Sequence, residues 1–373
     1  MFSEDHVFLQ LADLNTPSSS SSISKKEITL TKTSDNSFKR PNIYSENEFH
    51  DDDLYFLMKL LQQKMRTNKV RRNKSFSMDP KDVFLFSPDL LKNIYHSVYN
   101  EEYYVSDLYD VKISYNLKCI LVSDFNHYCI EVFDLETKEY KFKIKAPDQY
   151  MRFMCVEENY DMRHNDALIF GCSSYVYKYD LKTLLTVRDE ANYIWKNEDC
   201  SWAQGIAISY SRRQVFVSDA GSRSKVICIL NLQTGQSIQK FSIEEPLGVA
   251  FSPNEEYLIV SCADTSIYLF REDKTPNEAG VVHWTKCKTL VEKETGENGY
   301  NFELLTVDTN NRTFVLCDSE KRCLKIFSLV TFEQIATIGS ESTPSFRFKY
   351  IPFGLCVNEL TGELLVCETE QTE

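Results

Sequence analysis

The sequence predicts an all-β protein, a six-bladed β-propeller over residues 81–373, set behind a disordered tail and one helix. Three observations predict it. A short apolar run, ending in a small residue and usually an acid, recurs six times. A second apolar run follows each of the first five copies, and a third precedes all six. From about residue 82 onward no amphipathic helical pattern interrupts these runs, which is the pattern of an all-β chain.

The N-terminal region is different in kind. Residues 1–50 are rich in Ser, Thr, Asn and Lys and include the run Ser18 to Ser22. Such a segment buries too little apolar area to offset its ordering entropy, so a disordered tail is expected. Residues 51–80 read as a helix and a basic linker. Leu54, Leu57, Met58, Leu61 and Met65 share one helical face over about 52–67, and Asp51, Asp52 and Asp53 suit the N-terminus of that helix. Lys64, Arg66, Lys69, Arg71, Arg72 and Lys74 follow as a solvated basic stretch, with Ser75 and Ser77 behind it as candidate kinase targets.

The repeat carries the fold. Ile120 to Asp124, Leu168 to Cys172, Val215 to Asp219, Leu258 to Cys262, Thr313 to Asp318 and Leu364 to Glu368 match one another. Their aligned positions Val122, Phe170, Val217, Val260, Leu316 and Val366 lie 43 to 56 residues apart. The second runs include Ile130 to Thr137, Val176 to Thr183 and Ile227 to Gly235, with Asp-Leu-x-Thr or a close relative as a turn into a further strand. Four strands per unit at this period is the signature of propeller blades, which must stack because one such sheet cannot cover its own faces.

Pro246-Leu-Gly-Val-Ala-Phe-Ser-Pro-Asn254 and Val122-Ser-Asp-Phe-Asn-His-Tyr-Cys-Ile-Glu-Val-Phe133 resemble the NHL repeat over about residues 105–373. The resemblance implies a propeller and a rigid binding surface. Tyr128 stands where the repeat usually has arginine, and the third blade carries the insertion Gly221 to Lys225. The sixth copy has only two strands of its own. Asp82-Val-Phe-Leu-Phe-Ser87 is similar to the third strand of other copies, and Asn93 to Tyr99 reads as a fourth, so closure by N-terminal strands is expected.

Composition removes several functions. The formal net charge of −13 is concentrated beyond residue 80, which opposes a phosphate backbone. No window approaches 18 apolar residues, and the first residues lack the order of a signal peptide, so a cytoplasmic or nuclear protein without a membrane role is expected. None of the twelve cysteines forms a C-x2-C pair, so they read as reduced, buried thiols.

The chain therefore reads as a non-enzymatic, monomeric scaffold that needs no cofactor and binds a protein or peptide. Its candidate surface is the set of loops after positions 124, 173, 219, 262, 318 and 368, with Phe125, His127, Arg223 and Arg322 as candidate contacts. Trp195 and Trp202 read either as exposed anchors or as wall packing. Two alternatives rest on what the resemblance implies. A calcium-dependent lactonase or phosphotriesterase would gather Asp124, Asp219, Asp318 and Glu368 on the central channel, although in NHL-like repeats this acid more commonly ties down its turn. An RNA-binding NHL propeller would use a basic face, which Arg212, Arg213, Arg223, Lys225, Lys321 and Arg322 could supply locally.

Overall fold

The computed structural model describes residues 74, 77–99, 106–188, 191–221, 224–264, 266–273, 283–291, 302–308, 313–340 and 346–370. The tail expected over 1–50, the helix at 52–67, Ser75 and Arg223 lie outside them. After a single 3-10 turn at Pro80–Asp82 come strand β1 (Val83–Phe86) and helix α1 (Pro88–Tyr99). Blade 1 comprises β2 (Leu108–Ser114), β3 (Cys119–Asp124), β4 (Cys129–Asp134) and β5 (Tyr140–Lys145). Blade 2 comprises β6 (Met154–Glu157), β7 (Ala167–Cys172), β8 (Tyr175–Asp180), then helix α2 (Leu181–Val187), and β9 (Tyr193–Asn197). Blade 3 comprises β10 (Ala203–Ser209), β11 (Gln214–Gly221), β12 (Ser224–Asn231) and β13 (Ser237–Ser242). Blade 4 comprises β14 (Pro246–Phe251), β15 (Tyr257–Cys262), β16 (Ile267–Glu272) and β17 (Trp284–Val291). Blade 5 comprises β18 (Phe302–Asp308), β19 (Thr313–Asp318), β20 (Cys323–Ser328) and β21 (Gln334–Ile338). Blade 6 holds β22 (Ile351–Val357) and β23 (Leu364–Thr369), completed by β1.

The first strands of the blades, β2, β6, β10, β14, β18 and β22, neighbour one another in order, and β22 returns to β2. The six sheets thus form a six-bladed propeller. Position within a blade explains the hydrophobic patterning. The second strand lies between two neighbouring blades, so β3, β7, β19 and β23 are buried along their whole length and read as continuous apolar runs. The outermost strand meets solvent, and β13 alternates with no residue fully buried.

The repeat motif has a packing cause. Each described inner strand except β6 has a register shift near its start, as between Leu108 and Asp110 or Ala203 and Gly205. The small residue of the second strand sits opposite this bulge, where the next blade passes closely. Ser123 accepts from the Asp110 N–H at 2.9 Å and donates to the Arg152 carbonyl in blade 2 at 2.5 Å. Ser218 donates to the Leu247 carbonyl of blade 4. In blade 2 the position is Gly171, and a Cβ there would lie 2.6 Å from the Ala203 Cβ. The Asp-Leu-x-Thr turn is equally local. Asp134 Oδ1 accepts from the Glu136 and Thr137 N–H groups at 2.9 and 3.0 Å, and Asn231 does the same for Gln233 and Thr234.

Two expectations need correction. The closing strand β1 occupies the expected third position of blade 6, but it pairs with β23 in parallel, Val83 opposite Leu364. The segment Asn93 to Tyr99 is not a fourth strand. It belongs to α1, for which Ser87 accepts from the Leu90 N–H at 3.3 Å while Pro88 occupies the first turn. The helix buries Leu91 and Tyr95 against Phe86 and blade 1. Nor is the β region free of helix, since Asp180 caps α2 through the Thr183 N–H at 2.7 Å. There the Asp-Leu-x-Thr turn continues into two helical turns before β9.

Candidate functional site

The inner strands start, and the second strands end, on one face of the propeller, here called the upper face. The ladders place Tyr109, Arg152, Gln204, Leu247 and Phe353 at one repeat position, two residues before the partner of the aligned apolar residue. Four of these five join into an arc around the upper mouth. Phe353 meets Tyr109 with ring centroids 4.6 Å apart, and both adjoin Phe153. Tyr109 stacks on Phe125 at 4.8 Å, and Phe125 continues to Tyr150 at 5.2 Å and from there to Tyr128.

Arg152 ties this arc to blade 3. Its guanidinium lies over the rings of Trp202, Phe125 and Tyr109 at 4.2, 5.0 and 5.4 Å. The hydrogen-bonding pattern assigns the Gln204 amide the orientation with its oxygen toward Arg152, where it accepts from Arg152 Nη1 at 2.7 Å and from the Trp202 indole. Enclosure by three aromatic faces strengthens a cation's attraction to each ring because little water screens it. Phe153 is buried, Tyr109, Phe125 and Phe353 are half-buried, and Tyr150 and Trp202 are exposed at 39 % and 37 %. The arc therefore offers aromatic edges and faces to solvent on a base fixed by six blades.

Among the described candidate contacts, Phe125 is the one that lies within this arc. His127 sits on the same turn, its Nδ1 3.1 Å from Asp124 Oδ2. Arg322 is exposed on the equivalent turn of blade 5, two blades away, and is not brought to Phe125. The two candidate tryptophans separate. Trp195 is buried and donates to the Leu232 carbonyl at 3.1 Å, so it is wall packing, while Trp202 joins the arc. Arg212 belongs to the opposite, lower face, where it pairs with Glu255 and Glu272.

The four strand-end acids sit one per blade on blades 1, 3, 5 and 6. Asp124 Oδ1 accepts from the Asn126 and His127 N–H groups at 3.1 and 3.2 Å. Asp219 accepts from Ser201 and Gly221, Asp318 from Lys321, and Glu368 from Tyr350, all through backbone N–H groups. Each carboxylate thus fixes the loops of its own blade end. Among the described residues, Asp219, Asp318 and Glu368 enter no group of three converging metal-ligand side chains.

The lower end of the channel is a cavity of about 270 Å³ lined by Lys112, Tyr115, Cys155, Tyr210, Cys356 and Glu359 among others. The Lys112 ammonium is engaged with Asp110, and burial pushes the Cys356 thiol up to about 11. Neither group is set up as a nucleophile at neutral pH. Among the described residues no helix is long and apolar enough to cross a membrane. No known family model and no curated protein matches this sequence.

Proposed function

We propose that the chain is a non-catalytic platform that binds a protein or peptide through the upper-face arc. One observation carries this reading: Phe353, Tyr109, Phe125, Tyr150, Arg152 and Trp202 form an unbroken, part-exposed surface drawn from blades 6, 1, 2 and 3. Aromatic residues and arginine are the types that dominate binding energy in protein interfaces, because they bury large areas at small entropic cost. A propeller holds them in place before binding, so little ordering remains to oppose association. The NHL-like character of the repeat, read from Val122 to Phe133, is part of the same proposal. So is a cytosolic or nuclear setting, which suits twelve cysteines that form no disulfide.

The test is comparative capture from cell extract by the full chain, with Phe125→Ala and Arg152→Met beside Val330→Ser, a change at an exposed residue of the blade 5 lower turn. Proteins held by the wild type and by Val330→Ser, and lost about tenfold or more with both arc variants at unchanged melting temperature, would support the platform; a tenfold loss corresponds to about 1.4 kcal/mol. Equal capture by all four proteins would overturn it.

A further inference from the structure

Five blades have four strands each, and blade 6 has three, in the order β22, β23, β1. Strand β1 pairs with β23 on one side, and among the described residues no strand pairs with its other side. In a parallel ladder, alternate residues direct their N–H and C=O groups to opposite sides. About two of the four residues Val83 to Phe86 therefore aim theirs outward. Edge strands that stay free are commonly blunted by lysine, proline or a bulge, whereas Val-Phe-Leu-Phe carries none of these. Val83, Phe84 and Leu85 are only half-buried.

The chain that follows β1 does not supply the fourth strand. It enters α1 at Pro88, and α1 docks on blade 1. The Tyr95 hydroxyl donates to Glu131 Oε1 at 2.7 Å, and the Tyr99 hydroxyl meets that of Tyr140 at 3.0 Å. Both seams beside the open edge stay partly uncovered. Leu85, Ala336 and Phe346 are half-buried on the blade 5 side, as are Phe84 and Ile94 on the blade 1 side.

The other blades show what such an edge accepts. Their fourth strands, β5, β9, β13, β17 and β21, all run antiparallel to the third. They hold seven lysines and no acid, in a chain with 55 acidic and 42 basic residues. In β5, Tyr140, Phe142 and Ile144 alternate with Lys141, Lys143 and Lys145, and Lys141 reaches Asp134 of the third strand at 2.8 Å. Apolar residues close the seam on one side of the strand, and lysines offset the negative excess on the other.

We propose that β1 receives an extended segment of a partner protein as the fourth strand of blade 6. The segment is five to eight residues long, as the five fourth strands are, and alternates apolar residues with lysine. Strand addition draws affinity from main-chain hydrogen bonds and selectivity from alternate side chains. This surface lies on the perimeter and does not depend on the upper-face arc.

The probe is a synthetic peptide containing Tyr-Lys-Phe-Lys-Ile-Lys, the sequence of Tyr140–Lys145, added in excess to the full chain. Hydrogen exchange read residue by residue should show the outward amides of β1 exchanging freely in the chain alone. With the probe they should slow about tenfold or more. Two methylated probes make the deciding comparison, one N-methylated at its three lysines and one at Tyr, Phe and Ile. A strand offers alternate N–H groups to each side, so one of the two should bind about tenfold or more weakly and the other should bind as the parent does. A third probe with glutamate for each lysine should also bind about tenfold more weakly. Unchanged exchange at β1, or equal binding by both methylated probes, would overturn the proposal, and equal binding by the glutamate probe would overturn its basic partner. Slow exchange of the outward amides in the chain alone would overturn it too, since the edge would then be covered already. A dimer in native mass spectrometry would assign that cover to a second copy, and a monomer to the chain's own residues.

Discussion

The rings of Phe86 and Phe133 meet edge to face with centroids 4.9 Å apart. Phe86 ends β1 and Phe133 lies in β4, so this contact joins the closing strand to blade 1 as well as to blade 6. Phe86 is fully buried. Phe86→Ala should therefore cost about 3–5 kcal/mol, read as a lowered denaturant midpoint. A Phe86→Ala midpoint equal to wild type would contradict closure by β1.

Gly171 occupies the position of Ser123, Ser218 and Ser261. Restoring the repeat with Gly171→Ser should nevertheless destabilise, by about 1–3 kcal/mol, because the Ala203 Cβ would lie 2.6 Å from the new Cβ. Gly171→Ser combined with Ala203→Gly should recover much of the loss. A double-mutant cycle in urea measures this, and additivity of the two changes would show that the steric pair is not the cause.

Glu368 gives a pH dependence of defined sign. Burial raises its folded-state pKa above the ordinary 4.5, against hydrogen bonds from the Tyr350 and Lys349 backbone. A carboxyl with a raised folded pKa favours the folded state while protonated, and that contribution is lost as pH climbs from the unfolded value through the folded one. Glu368→Gln keeps the acceptor and removes the charge. It should raise the melting temperature at pH 7, and the gain should vanish below about pH 4.5, where the wild-type carboxyl is protonated in both states. An equal gain at pH 4 and pH 7 would exclude the ionisation as its source.

Thiol reactivity should follow burial. Ten of the twelve cysteines are buried, Cys356 is half-buried and Cys287 is exposed. Burial pushes Cys323 up to about 11 and Cys119 up to about 12, which leaves little thiolate at pH 8. A single fast label is expected on the native chain, lost in Cys287→Ser, with all twelve reacting after denaturation. Peptide mapping of the labelled protein reads the outcome directly.

The blades were legible because each second strand is buried on both sides. Val122, Val217 and Val260 sit in runs that water never touches, so the repeat survives as plain hydrophobicity. The closing strand was legible through the likeness of Val83 to Phe86 to Ile267 to Phe270. Its parallel direction was not, since side-chain patterning repeats every two residues whichever way a strand runs. Helix α1 escaped because Tyr95, Val98 and Tyr99 favour strands, although Ser87-Pro88-Asp89 carries a helix-start signal.

The arc was half legible. Phe125 could be picked from its own turn, but its partners come from four blades and meet only when the ring closes. The signal lay one residue before Gly205, Gly248 and Gly354, where Gln204, Leu247 and Phe353 line up with Arg152 and Tyr109. Alignment of the inner strands from the glycine onward passed just behind it.

Parallel closure by β1 also sets an order of events during synthesis. The ribosome makes Val83 to Phe86 first among the propeller strands, and the partner Leu364 to Cys367 last. At about 5–20 residues per second, β1 waits on the order of tens of seconds for that partner while the other five blades emerge. During that interval its N–H and C=O groups have no native ladder to join. The nascent ring is an open arc of sheets with an apolar strand at its leading end, and that stage of its life is when a chaperone would find most to hold.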